Sequence, residues 1–190
     1  MSGLPGLSGP LRLEGPKVVL REFSPTDTDG VAAVVGDDRV THWLAFGSLS
    51  RDEAAMLVEG AMTSAHQSPR TEYWMAMNEP GDDTFLGFAR LSLGGTRAAE
   101  LGYAIHADAW GRGYATASVR LLAGYGFDAL GLHRISAAIG PENVRSVGVV
   151  ERLGFRLEGR MRDHVFTNGA WRDSLLFSVL DREWRTMDAQ

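Results

Sequence analysis

The chain contains no cysteine, which removes thiol nucleophiles, disulfides and thiolate metal sites from its chemistry. Histidine is scarce: five residues, scattered without His-Glu-x-x-His or another paired spacing, so no metal centre is expected. No apolar run approaches the roughly 18 residues needed to span a bilayer. An excess of positive charge is also missing. Lys and Arg number 19 against 24 Asp and Glu, a net charge of −5, which gives no broad attraction for nucleic acid or an anionic membrane. The first ten residues have neither the basic nor the apolar region of a signal peptide. Their Gly, Pro and Ser content reads as a flexible lead-in, taken as residues 1–16, and the rest as one domain over 17–190. The protein is expected to be cytoplasmic.

What remains is a composition near the globular average, 44% hydrophobic and 23% charged, in a chain of 190 residues, long enough to bury a real core. Val18 to Phe23 reads as a first strand, and Ser24-Pro25-Thr26-Asp27 as the signal for a short helix over Asp29 to Val35. An aromatic-bearing connection with His42, Trp43 and Phe46 follows. Ser50 with Glu53 forms a capping box, and Ala54, Leu57, Val58, Ala61 and Met62 carry a second helix to about His66. Strands at Glu72–Met77, Thr84–Leu93 and Ala99–Ile105, joined by short turns, predict an antiparallel meander. Then come a helix over Gly113–Leu130, a strand over Arg134–Ile139 and a helix over Asn143–Leu153. A hairpin of Phe155–Met161 and Ser174–Leu180, turning at Thr167-Asn168-Gly169, closes the chain. The fold class is α/β (α+β): one mixed, mostly antiparallel sheet of about seven strands flanked by about four helices. Met56, Met62, Met75 and Met77 fall on apolar faces and are assigned to the core.

One stretch organises the rest: Trp110-Gly111-Arg112-Gly113-Tyr114-Ala115-Thr116-Ala117, between a strand and a helix. A strand that enters a Gly-rich turn and becomes a helix leaves unpaired backbone N–H groups at the positive end of the helix dipole. That is an anion site suited to phosphate, with Gly111 and Gly113 letting a ligand approach the backbone. By itself the pattern also fits an ordinary tight turn. It is neither a dinucleotide fingerprint, which would need Gly where Thr116 stands, nor a P-loop, since no Gly-Lys-Ser/Thr follows.

The order strand, Gly-rich turn, helix, strand, Asn143-Val144-Arg145-Ser146, Leu153-Gly154-Phe155 resembles the GNAT superfamily of acyl-CoA-dependent N-acyltransferases. It is most similar to the branch of ribosomal-protein-alanine N-acetyltransferases. The family's pyrophosphate loop, Gln/Arg-x-x-Gly-x-Gly/Ala, is matched by Trp110 to Ala115, with Trp110 in place of the usual Gln or Arg. Glu100-Leu101-Gly102-Tyr103 resembles the family's fourth strand, and Asn168 to Asp173 its terminal hairpin. The resemblance runs from about Val18 to Leu180, nearly the whole chain.

The resemblance implies a GNAT-like fold and transfer of an acetyl group from acetyl-CoA to a primary amine, a protein N-terminal α-amine or a small-molecule amine. Attack would be direct, in a ternary complex, with no metal. Cofactor contacts then fall to Ile105, Trp110, Gly111, Arg112, Gly113, Tyr114, Ala115, Thr116, Asn143 and Ser146. Glu100 is the candidate base, and the same carboxylate also suits an ion pair with an arginine. Many members carry a tyrosine acid seven residues after the Asn; here that position is Val150. Ser146 stands nearest, to orient the sulfur or a water, or simply to serve the first helical turn; Asn143 is equally a helix cap. His42, Trp43, Phe46, His164 and Asp173 are acceptor-site candidates, each with a packing or surface alternative. A homodimer through the closing hairpin is expected from relatives. Two functions stay open beside the main one: a non-catalytic acyl-CoA-binding module, and the same enzyme with another donor such as succinyl-CoA.

Overall fold

Alternation of apolar and polar residues builds the sheet. In the computed structural model, which describes residues 10–188, eight strands form one sheet in the order β1-β2-β3-β4-β5-β6-β8-β7. The strands are β1 (Arg12–Glu14), β2 (Val19–Arg21), β3 (Glu72–Asn78), β4 (Phe85–Leu93), β5 (Ala98–Ile105), β6 (Arg134–Ile139), β7 (Arg156–Thr167) and β8 (Ala170–Leu180). Every pairing is antiparallel except β5 with β6. The expected meander and closing hairpin are therefore present. The first strand is shorter than expected, because the chain leaves β2 after Arg21 to enter a single tight helical turn at Pro25–Asp27.

β1 lies inside the segment expected to be lead-in, and residues 1–9 of that segment are outside the described residues. It pairs with β2 through a turn in which Gly15 N–H donates to the Val18 carbonyl at 3.0 Å. Among the described residues the helices number six: α1 (Thr28–Val35), α2 (Asp38–Thr41), α3 (Arg51–Ala65), α4 (Tyr114–Asp128), α5 (Val144–Arg152) and α6 (Asp181–Asp188). α2 and α6 were not anticipated. α2 is a single capped turn, with the Asp37 side chain accepting from Arg39 N–H. α6 is polar outside and anchors by Trp184, buried against Phe127 of α4 at 5.7 Å between rings.

Two apolar clusters sandwich the sheet. On one face Val119, Leu122, Ala123 and Phe127 of α4 and Val149 and Val150 of α5 pack on Leu91, Leu101, Ile105, Ile135 and Ala137. On the other, Val31, Val34 and Val35 of α1 and Ala54, Val58 and Ala61 of α3 pack on Ala76, Phe88 and Ala104. The strand alternation thus sends Leu101, Tyr103 and Ile105 of β5 towards α4 and α5, and Glu100, Gly102 and Ala104 towards the opposite face. The helix α3 follows the expected register, with its capping box present, apart from one residue. Met56 is 62% exposed rather than core, since it sits about 200° around the helix from Ala54. Met75 and Met77 are fully buried.

One glycine sets the spacing at the end of β5. A Cβ on Gly87 of β4, at φ 151°, would lie 2.2 Å from the Ala104 carbonyl oxygen and 2.8 Å from Ile105 Cα. Only a residue without a side chain lets β4 and β5 come this close just before the Gly-rich turn.

Candidate active site

β5 and β6 begin as neighbours and then separate. Their parallel ladder holds only Ala98 with Arg134, Ala99 with Ile135 and Glu100 with Ser136. Beyond Glu100, residues 101–105 of β5 and 137–139 of β6 have no partner across the gap. An unpaired strand edge presents backbone donors and acceptors, a template for an extended ligand that carries amide groups.

The gap opens towards the Gly-rich turn. Gly111 and Gly113 have φ of 79° and 84°, left-handed values on either side of Arg112. This alternation of backbone hand turns successive N–H groups to one side, and Gly113 is the N-terminal cap of α4. Ala117 N–H is bonded to the Gly113 carbonyl, so the N–H groups of Tyr114, Ala115 and Thr116 precede the helix's own ladder. No atom lies within 4 Å of a Cβ built on Gly111, and on Gly113 only Lys17 Nζ, at 3.4 Å. The cradle is open, positively poled and lined by backbone, and it suits a phosphate.

Lys17 was not anticipated. It is the chain's only lysine, and its ammonium donates to the Arg112 carbonyl at 3.2 Å, adding a full positive charge beside the cradle. Arg112 itself is exposed. Trp110 has a different task from the Gln or Arg it replaces. Its indole N–H donates to the Ile105 carbonyl at 2.9 Å, and the Arg145 guanidinium lies 5.2 Å over its ring. Trp110 thereby fastens the turn to the end of β5 and to α5, and it occupies the carbonyl of Ile105. The Tyr114 hydroxyl donates to Glu79 in the β3–β4 turn, with Arg112 also beside it. That carboxylate beside it holds the Tyr114 hydroxyl above the usual phenol range.

At the far side of the gap, the Asn143 side chain accepts from Ser146 N–H at 3.1 Å and caps α5. Ser146 is half-buried in the first turn. Facing it is a group that sequence reasoning passed over. The Tyr103 hydroxyl is buried, and Ser146 and Arg152 lie near enough to favour its ionised form, yet no partner meets the oxygen in hydrogen-bonding geometry. Burial outweighs both and pushes the Tyr103 hydroxyl above the usual phenol range.

Glu100 is on the other face, at the last residue pair before the strands part. Its side chain is 58% exposed and lies 3.9 Å from Arg90, a long contact that leaves the carboxylate open to solvent. The Arg90 guanidinium lies 5.3 Å above the Trp74 ring, fixing it on β4.

One arginine ties together the two segments that carry the acceptor-site candidates. Arg172 of β8 donates from its two Nη atoms to the carbonyls of His42 and Leu44, both at 2.6 Å, so the closing hairpin is tied to the aromatic connection. His42 and Trp43 are exposed and stack edge to face at 4.6 Å, while Phe46 packs against the α1–α3 cluster. His164 is exposed, with Nδ1 3.0 Å from Ser174 Oγ. Asp173 is committed within the hairpin. It accepts from Arg160 at 2.6 Å and from Asp163 N–H at 2.9 Å, where the register of β7 slips, and both contacts hold it below the usual carboxylate range. Among the described residues no group of three or more His, Asp or Glu is placed to hold a metal, and no helix is long and apolar enough to cross a membrane.

Residues 17–156 match the model of the acetyltransferase (GNAT) domain family. The chain is 28% identical over 170 residues to the uncharacterized N-acetyltransferase YoaA of Bacillus subtilis (strain 168), covering 88% of this chain and 96% of that one. It is 26% identical over 182 residues to the [ribosomal protein uS5]-alanine N-acetyltransferase of Escherichia coli (strain K12), covering 92% and 93%. The solved structure of Mycobacterium smegmatis RimJ in complex with CoA-disulfide superposes with a TM-score of 0.77 at 27% identity, over 92% of this chain and 87% of that one. With an eight-stranded sheet parting beside a left-handed glycine turn, and a family match over most of its length, the chain belongs to the GNAT family and is an N-acetyltransferase.

Proposed function

We propose that the protein moves an acetyl group from acetyl-CoA to a primary amine by direct attack of the amine on the thioester. The observation that carries this reading is the separation of β5 from β6 beside the Gly111–Gly113 turn. The turn suits a pyrophosphate, held by the N–H groups of Gly111 to Thr116 with Lys17 and Arg112 adding charge. The free edge of β5 suits the amide-bearing pantetheine arm, which would run past Asn143 and Ser146. A backbone N–H on that edge polarises the thioester carbonyl, where a fixed donor acts without reorganisation.

Glu100 takes the proton from the incoming ammonium, directly or through water, since a neutral amine is the nucleophile. Ser146 orients the departing sulfur or a water. His42, Trp43 and His164 line the acceptor entrance. The acceptor proposed first is a protein N-terminal α-amine; the Escherichia coli relative is named as an alanine N-acetyltransferase of ribosomal protein uS5. Calorimetric titration with acetyl-CoA tests the reading: saturable one-site binding is expected, and no heat of binding up to millimolar ligand overturns it.

A further inference from the structure

We infer that the Tyr103 hydroxyl is the hydrogen-bond donor that receives the sulfur of the acyl donor as its thiolate leaves. The inference rests on the acetyl-CoA reading above. It begins from an orphaned atom: a buried hydroxyl with no partner lacks the bonds that burial normally requires, and such a group in a native protein calls for an explanation. This one sits on the unpaired stretch of β5, two residues before the Ile105 carbonyl that Trp110 occupies. It looks across the gap at Ser146 in the first turn of α5. A ligand atom arriving between β5 and α5 would complete its hydrogen bonding.

The strand's alternation gives the reaction two sides. Glu100 and Tyr103 are three residues apart on β5, about 10 Å, and so point to opposite faces. The amine reaches the thioester from the Glu100 face, where that carboxylate is open to solvent. The leaving sulfur departs towards the α5 face, where Val150, fully buried among apolar side chains, carries no hydroxyl. Tyr103 supplies one from the opposite wall.

The N–C bond forms, the C–S bond breaks, and its electron pair leaves on sulfur. Glu100 or a water takes the proton released by the amine, and that proton reaches the thiolate through solvent. Tyr103 donates a hydrogen bond to the sulfur without giving up its proton. Burial holds the Tyr103 phenol above its ordinary value, so it keeps its proton while the thiolate leaves. Tyr103 therefore acts as a catalytic hydrogen-bond donor, and a phenylalanine in its place keeps the shape of the wall.

The experiment compares the parent with Tyr103→Phe, titrating each at pH 9 with CoA and with desulfo-CoA, which lacks the sulfur. The variant loses only an unpartnered oxygen, so its melting temperature is expected to match or exceed the parent's. CoA affinity should fall about tenfold while desulfo-CoA affinity stays unchanged, and turnover should fall about 10- to 100-fold at an unchanged KM for acetyl-CoA. Should the variant fold poorly, the parent alone decides: ultraviolet absorbance of bound CoA should show its thiol ionising at lower pH than in free CoA. Equal loss of both ligands, or no loss with unchanged turnover, overturns the role of Tyr103 and leaves acetyl-CoA binding standing, as does an unshifted thiol. Failure of the parent to bind either ligand removes both readings together.

Discussion

Gly113→Ala separates the cradle's two demands, on backbone conformation and on open space. Gly113 has a φ of 84°, where an L-residue suffers about 1–2 kcal/mol of strain. The added Cβ meets only Lys17 Nζ at 3.4 Å, the far end of a flexible chain, so no packing penalty is added. The loss of stability should therefore stay near 1 kcal/mol, about 3 °C in Tm for a domain of this size. Binding should suffer far more. A turn strained out of its left-handed conformation no longer holds its N–H groups on one anion, and losing one hydrogen bond to a charged group removes about 1.5–3 kcal/mol. That is a loss of about 10- to 100-fold in acetyl-CoA affinity. Gly60→Ala is the control: it lies on exposed α3 with nothing within 4 Å, and it should gain about 1 kcal/mol without changing affinity. Thermal melts and calorimetry on the three proteins give both numbers. Affinity unchanged in Gly113→Ala would refute the placing of phosphate at this turn.

Other perturbations have equally definite outcomes. Lys17→Met should weaken acetyl-CoA binding about fivefold at low salt, and the difference should shrink as salt screens the exposed ammonium. Glu100→Gln should lower turnover about 100-fold with little change in acetyl-CoA affinity; full activity would remove it as the base. Asp27 is buried, and burial alone would raise its pKa, but Arg21 at 2.7 Å and the Ser24 N–H hold it below the usual carboxylate range. Its contribution is thus complete above the unfolded value of about 3.9 and is lost as pH falls through the lower folded value. Asp27→Asn should cost about 3 kcal/mol at pH 7, by leaving Arg21 unpaired, and the gap between variant and parent should close in acid, as read from denaturant melts against pH.

How much of this was legible in the sequence depended on whether a signal was local. β6 begins and ends at Arg134 and Ile139, as its alternation implied, and the Ser50–Glu53 capping box starts α3 where its spacing required. The glycine turn was legible because its conformation is written into two residues. α2 was not, since four residues carry no periodicity, nor α6, whose inward face amounts to little more than Trp184 and Met187. Met56 was misplaced because it was assigned to the core on apolar character alone, although it lies off the helical stripe of α3. Lys17, Tyr103 and Arg172 escaped notice for a common reason. Each gains its role from a segment far along the chain: Lys17 and Arg172 bond the Arg112 carbonyl and the His42–Leu44 backbone, and Tyr103 faces the first turn of α5. Such contacts follow from which strands neighbour one another, and no short motif encodes that.

The most direct test is release of free CoA thiol from acetyl-CoA across a panel of amines that includes peptide N-termini and polyamines. At least one amine is expected to give release that saturates, depends on the protein and leaves the amine acetylated. Saturable acetyl-CoA binding with no release for any amine or acyl donor would contradict the account and leave a module that holds the donor without transferring it.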